Sequence, residues 1–164
     1  MRISPDAGAA ALLFAACVTP AIAQTQSGTV TATVSTIAKL TVSSTTLTFP
    51  DANPDETPKV SPVQGPLSIT AKTRATNGSQ IVLTVQAGDD LRSGLDVIPA
   101  SAIEWTATGE GFNGGTLSKA SPVALAQWTG SGVRTGTQTL SFRNLWTYAT
   151  GTYSCTLLYT LTGP

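Results

Sequence analysis

The stretch Gly151-Thr-Tyr-Ser-Cys-Thr-Leu-Leu-Tyr-Thr-Leu-Thr-Gly-Pro164 decides the fold class. Tyr153, Cys155, Leu157, Tyr159 and Leu161 fall on one side of an extended chain, while Thr152, Ser154, Thr156 and Thr160 fall on the other, with Leu158 the single exception. Successive side chains of a strand point to opposite faces, so this alternation reads as a strand half buried against a core. The same pattern recurs upstream. Thr137 to Arg143 sets Leu140 and Phe142 on one side, and Val123 to Trp128 is a further strand, followed by the turn Gly130-Ser-Gly132. Ile103, Trp105 and Ala107 form an inward face ahead of a glycine-rich turn over 109–115, which returns through Thr116-Leu-Ser118.

Leu67, Ile69 and Ala71 alternate with Ser68, Thr70 and Lys72, and Asn77-Gly78 separates them from Ile81, Leu83 and Val85. Asn-Gly between two alternating runs is a strong hairpin signal, so a hairpin is expected over 67–86. Gly88 to Gly94 reads as a polar loop closed by Ile98-Pro99. Proline recurs at positions 50, 54, 58, 62 and 66. Each proline removes a backbone donor, so 50–66 is expected to be an irregular surface loop. Ile37-Ala-Lys39 reads as a short step leading to Leu40 to Val42 and Thr46 to Phe49, two short strands or one with a bend at Ser43-Ser44. The run from Ser27 to Thr36 is another, with Val30, Ala32 and Val34 opposite Thr29, Thr31, Thr33 and Ser35. At about 25 cal/mol per Å² of apolar surface, such small groups gain less from docking than the final strand does. The sum is an all-β chain of about eight or nine short strands with turn signals near every tenth residue, an immunoglobulin-like antiparallel β-sandwich.

Arg2, an apolar run over 7–18, Pro20 and the triplet Ala21-Ile22-Ala23 have the layout of a cleaved secretory signal. The expectation is a signal peptide over 1–23 and one sandwich domain over 24–164, secreted to the periplasm, cell surface or exterior. A lipoprotein signal acylated at Cys17 is the rival, and Phe14 suits it poorly because an aliphatic residue is usual three positions before such a cysteine. Nine basic residues balance nine acidic ones, there is no His, and charged residues make up 11% of the chain. The average is about 25%. No basic footprint for nucleic acid is present and no membrane span is expected. Once the leader is removed Cys155 has no partner in the chain, so it is expected to be a small buried hydrophobe, with a bridge between molecules as the alternative.

Candidate sites are few. Asp51, Asn53, Asp55 and Glu56 alternate like the first half of a calcium loop, but Glu56 stands where that loop needs Gly and Pro62 where it needs a bidentate Glu. An Asx and proline turn explains them. Asp89, Asp90 and Asp96, with Glu104 or Glu110, form no fixed carboxylate pair, and no His serves as a base, so no catalytic residue, cofactor or metal is expected. Trp146 and Tyr148, in a loop, are candidate aromatics for stacking on a sugar, whereas Trp105 and Trp128 are expected in the core.

Ala149 to Cys155 resembles the start of strand F in immunoglobulin domains, where a Tyr two residues before a Cys hydrogen-bonds backward along the chain. The alternating Thr/Val run from Thr29 to Val34, Leu47-Thr-Phe49 ahead of a proline-rich loop, and the terminal Gly151-Thr-Tyr153 strand resemble the spore coat protein U-like family of chaperone–usher pilin subunits. That resemblance implies an immunoglobulin fold lacking its last strand, completed by a neighbour. Val30, Ala32 and Val34 would then be the donor strand and Tyr153, Cys155, Leu157, Tyr159 and Leu161 the acceptor edge. The expected function is a secreted, non-enzymatic surface or fibre subunit that assembles by strand addition with copies of itself or related subunits, helped by a periplasmic chaperone. The alternative is a self-contained secreted module that binds a glycan or protein through its loop aromatics.

Overall fold

The computed structural model describes Ser27 and residues 29 to 163. The expected signal peptide over 1–23, with Cys17, lies outside the described residues. The chain divides after Thr33 into two units. The described residues of the first, Ser27 and Thr29 to Thr33, are exposed and belong to no strand, and Val34 to Thr36 of the second are likewise exposed and unpaired. Among the described residues the strand expected over 27–36 is therefore not formed. Its alternation shows which face would be apolar, but small side chains give it little reason to dock.

The second unit is all-β, with eleven strands among its described residues. They are β1 (Ile37–Val42), β2 (Lys59–Val60), β3 (Leu67–Arg74), β4 (Gln80–Ala87), β5 (Leu91–Ser93), β6 (Asp96–Ile98), β7 (Ile103–Thr108), β8 (Gly115–Thr116), β9 (Val123–Thr129), β10 (Gly132–Arg143) and β11 (Leu157–Thr162). A six-stranded sheet runs in the order β1-β3-β10-β7-β8 with β2 also on β10, and a three-stranded sheet runs β11-β4-β9, all pairs antiparallel. The two sheets pack as a sandwich around one core. Leu67, Ile69 and Ala71 on β3, Leu140 on β10, Ile81, Leu83 and Val85 on β4, and Leu125 on β9 are at most 1% exposed.

The composition follows from this layering. Thr41, Thr70 and Thr135 stand side by side across β1, β3 and β10, and Thr137 pairs with Thr108 on the same outer face. The hydroxyls of Thr108 and Thr137 are 2.5 Å apart. Branched side chains with a hydroxyl suit a pleated face whose other side is buried.

Four expectations change. The alternating runs over 67–86 are strands, but not a hairpin, because β3 lies in the large sheet and β4 in the small one. Ser79 donates its N–H to Thr76 O at 3.1 Å, and Gly78 takes φ 84 as the third residue of that turn. Glycine supplies that positive φ without strain, and the strands on either side of the turn go to different sheets. The chain thus arches between sheets there, and Gly130-Ser131 makes a second arch from β9 to β10, tied to the first by Gly130 N to Ser79 O at 2.8 Å and Ala75 N to Ser131 Oγ at 2.9 Å. The segment read as a loop over 88–94 leads instead into the hairpin β5–β6, where Gly94 at φ 60 opens a two-residue connection with the positive φ that primed turns need at that position. Ile37 to Lys39 belong to β1. Thr46 to Phe49 form no strand and are pinned instead by Val63 N to Thr48 O at 2.9 Å and Thr48 N to Gln64 Oε1 at 2.8 Å.

Candidate functional site

The feature that singles out one region is the seam between β1, at the edge of the large sheet, and β11, at the edge of the small one. Among the described residues β11 pairs only with β4, and β1 only with β3. Their outer edges carry unspent backbone donors and acceptors. The far edge of the small sheet is different. Turn residues cover β9, with Asn113 N on Leu125 O at 2.8 Å and Gln127 N on Gly111 O at 3.0 Å.

Burial falls off abruptly at the seam. Leu157, Tyr159 and Leu161 stand opposite Ala87, Val85 and Leu83 in register. The three β4 residues are at most 1% exposed. Their β11 neighbours on the same inward face are only partly buried against the core, as are Tyr153 and Cys155 just before them. All five residues of the expected acceptor edge therefore share one wall of the seam. Leu157 to Leu161 do so on a strand, and Tyr153 and Cys155 do so on the approach to it, where Ser154 bridges to Arg92. The seam opens into a groove of about 430 Å³ with Val42, Leu47 and Phe49 on one wall and Tyr153, Leu157 and Tyr159 on the other. A second hollow of about 200 Å³ lies at the other end, between Ile37 and Leu161.

Tyr153 caps the mouth of the large groove. Its hydroxyl donates to Ala149 O at 3.0 Å, the backward bond expected of a corner tyrosine, and burial followed by the nearby charge of Asp96 pushes its pKa up. Cys155 is a free, half-buried thiol, held protonated by burial and then by the negative charges of Asp90 and Asp89.

The carboxylates beside it are structural. Asp89 accepts from Arg92 Nε at 2.6 Å, and that bond first, then the Asp90 N–H, lowers its pKa to about 2. Asp90 pairs with Lys119 and accepts the Ala100 N–H at 2.9 Å, which lowers its pKa in turn. Glu104 pairs with Lys59, and Glu110 lies 3.9 Å from Arg134. The pairs of Asp89 and Asp90 with Arg92 and Lys119 hold the turn after β4 in place. Asn53 closes an Asx turn onto the Asp55 N–H at 3.1 Å. No group of three or more His, Cys, Asp or Glu among the described residues is placed to hold a metal ion.

One polar point in the interior was missed in the sequence. Gln138 on β10 is 0% exposed, and its Oε1 accepts from the Tyr159 hydroxyl at 2.7 Å across the two sheets. Its Nε2 has no partner. The signal was present, because Gln138 has the same parity as Leu140 and Phe142. Burial pushes the Tyr159 pKa up to about 12.

The aromatics divide. Trp105 and Trp128 are buried, donating to Asn113 O at 3.0 Å and Thr73 Oγ1 at 3.3 Å. Trp146 is 69% exposed and its indole N–H donates to Asp55 Oδ1 at 3.0 Å. Tyr148 is half buried over Phe142, ring centroids 5.8 Å apart, and Phe142 in turn meets Phe49 at 5.9 Å. The two loop candidates thus differ, one displayed and one packed. Val30 and Val34 are 96% and 68% exposed, and Ala32 is exposed.

An all-β sandwich with an open seam between β1 and β11 among its described residues is the class of protein these features define. No protein-family model matches the chain, and a search of curated proteins finds no match either. Among the described residues no helix is long and apolar enough to cross a membrane.

Proposed function

We propose that this chain is a secreted, non-enzymatic structural subunit of a surface fibre or coat, joined to its neighbours by strand addition. In this reading the seam between β1 and β11 receives an extended segment from a second copy or a related subunit. Val30, Ala32 and Val34 are the inward residues of that segment, and an immunoglobulin-like sandwich of the pilin type is completed between molecules. The observation that carries the reading is the half-exposed inward row of β11 beside the fully buried row of β4. A strand laid along β11 would satisfy its free edge and cover that row, at about 1 kcal/mol for each large apolar side chain taken from half buried to buried. An open edge of this kind invites pairing unless something occupies it, which is also the work that a periplasmic chaperone would do before assembly.

The test is deletion of residues 24–36. The truncated chain should fold and remain monomeric on a sizing column at concentrations where the chain carrying them assembles. Assembly of the truncated chain to the same extent would refute the reading.

A second reading, a self-contained module that binds a glycan or protein through loop aromatics, is favoured by the display of Trp146 on the Asp55 carboxylate. It requires a monomer at all concentrations and loss of ligand on Trp146→Ala with the unfolding temperature unchanged.

A further inference from the structure

An asparagine followed by glycine carries a chemistry of its own. The carboxamide carbon can close a five-membered ring onto the next backbone nitrogen, and glycine has no Cβ to shield that nitrogen. The sequence contains two such pairs, Asn77-Gly78 and Asn113-Gly114, and the fold treats them differently. Asn113 donates its N–H to Leu125 O at 2.8 Å, its carboxamide donates back to Gly111 O at 3.2 Å, and its carbonyl accepts the Trp105 indole N–H at 3.0 Å. Gly114 is packed beneath Trp105, whose carbonyl oxygen a Cβ there would meet at 3.0 Å. Asn77 and Gly78 are both exposed, and a Cβ at Gly78 would meet nothing within 4 Å. Among the described residues no backbone acceptor holds the Gly78 N–H.

We propose that Asn77 is a self-modification site: in the folded chain the Gly78 nitrogen attacks the Asn77 side chain, and the arch between β3 and β4 comes to carry aspartate and isoaspartate as the protein ages. The step goes beyond the strand-addition reading, does not depend on it, and is balanced with water alone. The Gly78 N–H loses its proton to hydroxide and the nitrogen bonds to Asn77 Cγ; the Cγ–Nδ2 bond breaks, and Nδ2 takes a proton from water and leaves as ammonia. Water then opens the cyclic imide. Opening at Cγ gives aspartate with the backbone as before, whereas opening at the main-chain carbonyl gives isoaspartate, whose main chain is longer by one methylene. That methylene falls where it has a mechanical effect. The turn is closed by Ser79 N on Thr76 O at 3.1 Å, and Ser79 O takes the Gly130 N–H of the second arch at 2.8 Å. Lengthening the chain between 77 and 78 pulls the closing bond apart and misaligns the tie between the arches. Either product also adds one negative charge to a chain whose formal net charge is zero.

The test is incubation of the full exported chain at about pH 8 and about 37 °C in water labelled with heavy oxygen, followed by cleavage after Lys and Arg. The cleavage places Asn77 in the peptide 75–92 and Asn113 in the peptide 93–119. Asn77 should convert at least about tenfold faster than Asn113, because Asn113 must first give up one or two hydrogen bonds, and the product should carry the label and include isoaspartate. In guanidinium chloride the two rates should converge, which shows that the fold and not the dipeptide sets the difference. The isoaspartate fraction, separated by ion exchange, should unfold roughly 2–8 °C below the parent for the loss of about one hydrogen bond. Freshly made Asn77→Asp, which has the charge without the methylene, should unfold with the parent, and Asn77→Ser should not change on storage. Conversion of Asn77 no faster than that of Asn113 in the folded chain overturns the site. An isoaspartate fraction that unfolds at the parent temperature overturns the loosening of the arch.

Discussion

Replacing Tyr159 by Phe removes one oxygen from the interface between the sheets and leaves the ring in place. The wild-type hydroxyl donates to Gln138 Oε1 at 2.7 Å, and Gln138 is 0% exposed with its Nε2 already unpartnered. The variant therefore strands both polar atoms of one buried amide, at a cost of about 1–3 kcal/mol, with no cavity contribution because the ring volume is kept. For a domain of this size that corresponds to a fall in unfolding temperature of roughly 3–10 °C. Gln138→Leu with Tyr159→Phe should recover most of the loss, since both polar partners are then gone together, and the coupling read from the double-mutant cycle isolates the pair. The same residue shapes the alkaline limb. Burial moves the Tyr159 pKa from 10.0 to about 12. An acid whose folded pKa is raised loses its proton first in the unfolded chain, so stability falls as pH rises between those two values, by on the order of 2–3 kcal/mol. Urea unfolding from pH 7 to 12 would show that slope in the parent and a shallower one in the Phe variant. Equal stability of parent and Tyr159→Phe at pH 7, with identical alkaline slopes, would refute the claim that this contact is buried and formed.

Three further outcomes follow from other parts of the molecule. A Cβ at Gly136 would lie 2.6 Å from the Thr108 carbonyl oxygen and 2.7 Å from the Phe112 ring, so Gly136→Ala should destabilise by about 1–3 kcal/mol in urea titration. Asp89, held at about 2 mainly by Arg92, contributes stability above its unfolded pKa that is lost as pH falls from about 4 toward 2, and Asp89→Asn should flatten that acid limb of a thermal-unfolding scan. The Cys155 thiol, half buried and raised in pKa, should react slowly with iodoacetamide at pH 7, and more slowly still in the assembled form if the groove is filled.

Alternation along the strands was the most legible feature of the sequence. Ile81, Leu83 and Val85 read as inward and are fully buried, Trp105 and Trp128 read as core and are core, and the backward bond of Tyr153 is present. Pairing was less legible, because periodicity reports which face a residue takes but not which strand lies beside it. Asn77-Gly78 announced a turn, but a turn signal does not say whether the strands it joins will pair, and here β4 goes to the other sheet. The hairpin at Gly94 was hidden by its polar flanks, whose charges are spent on Arg92 and Lys119. Gln138 escaped notice because a polar residue among threonines looks solvated. Only the long reach of Tyr159 from the opposite sheet explains why it is not.

The two arches have a consequence for how the chain is made. β3 does not pair with β4, nor β9 with β10, so β3, already on β1, gains its second neighbour only with β10, and β4, on β9, only with β11. At about 5–20 residues emerging per second, β4 stays without its final neighbour for several seconds, and such distant pairing is intrinsically slow. Both sheets are therefore closed by strands from the last third of the chain, so the sandwich is completed only near the end of synthesis.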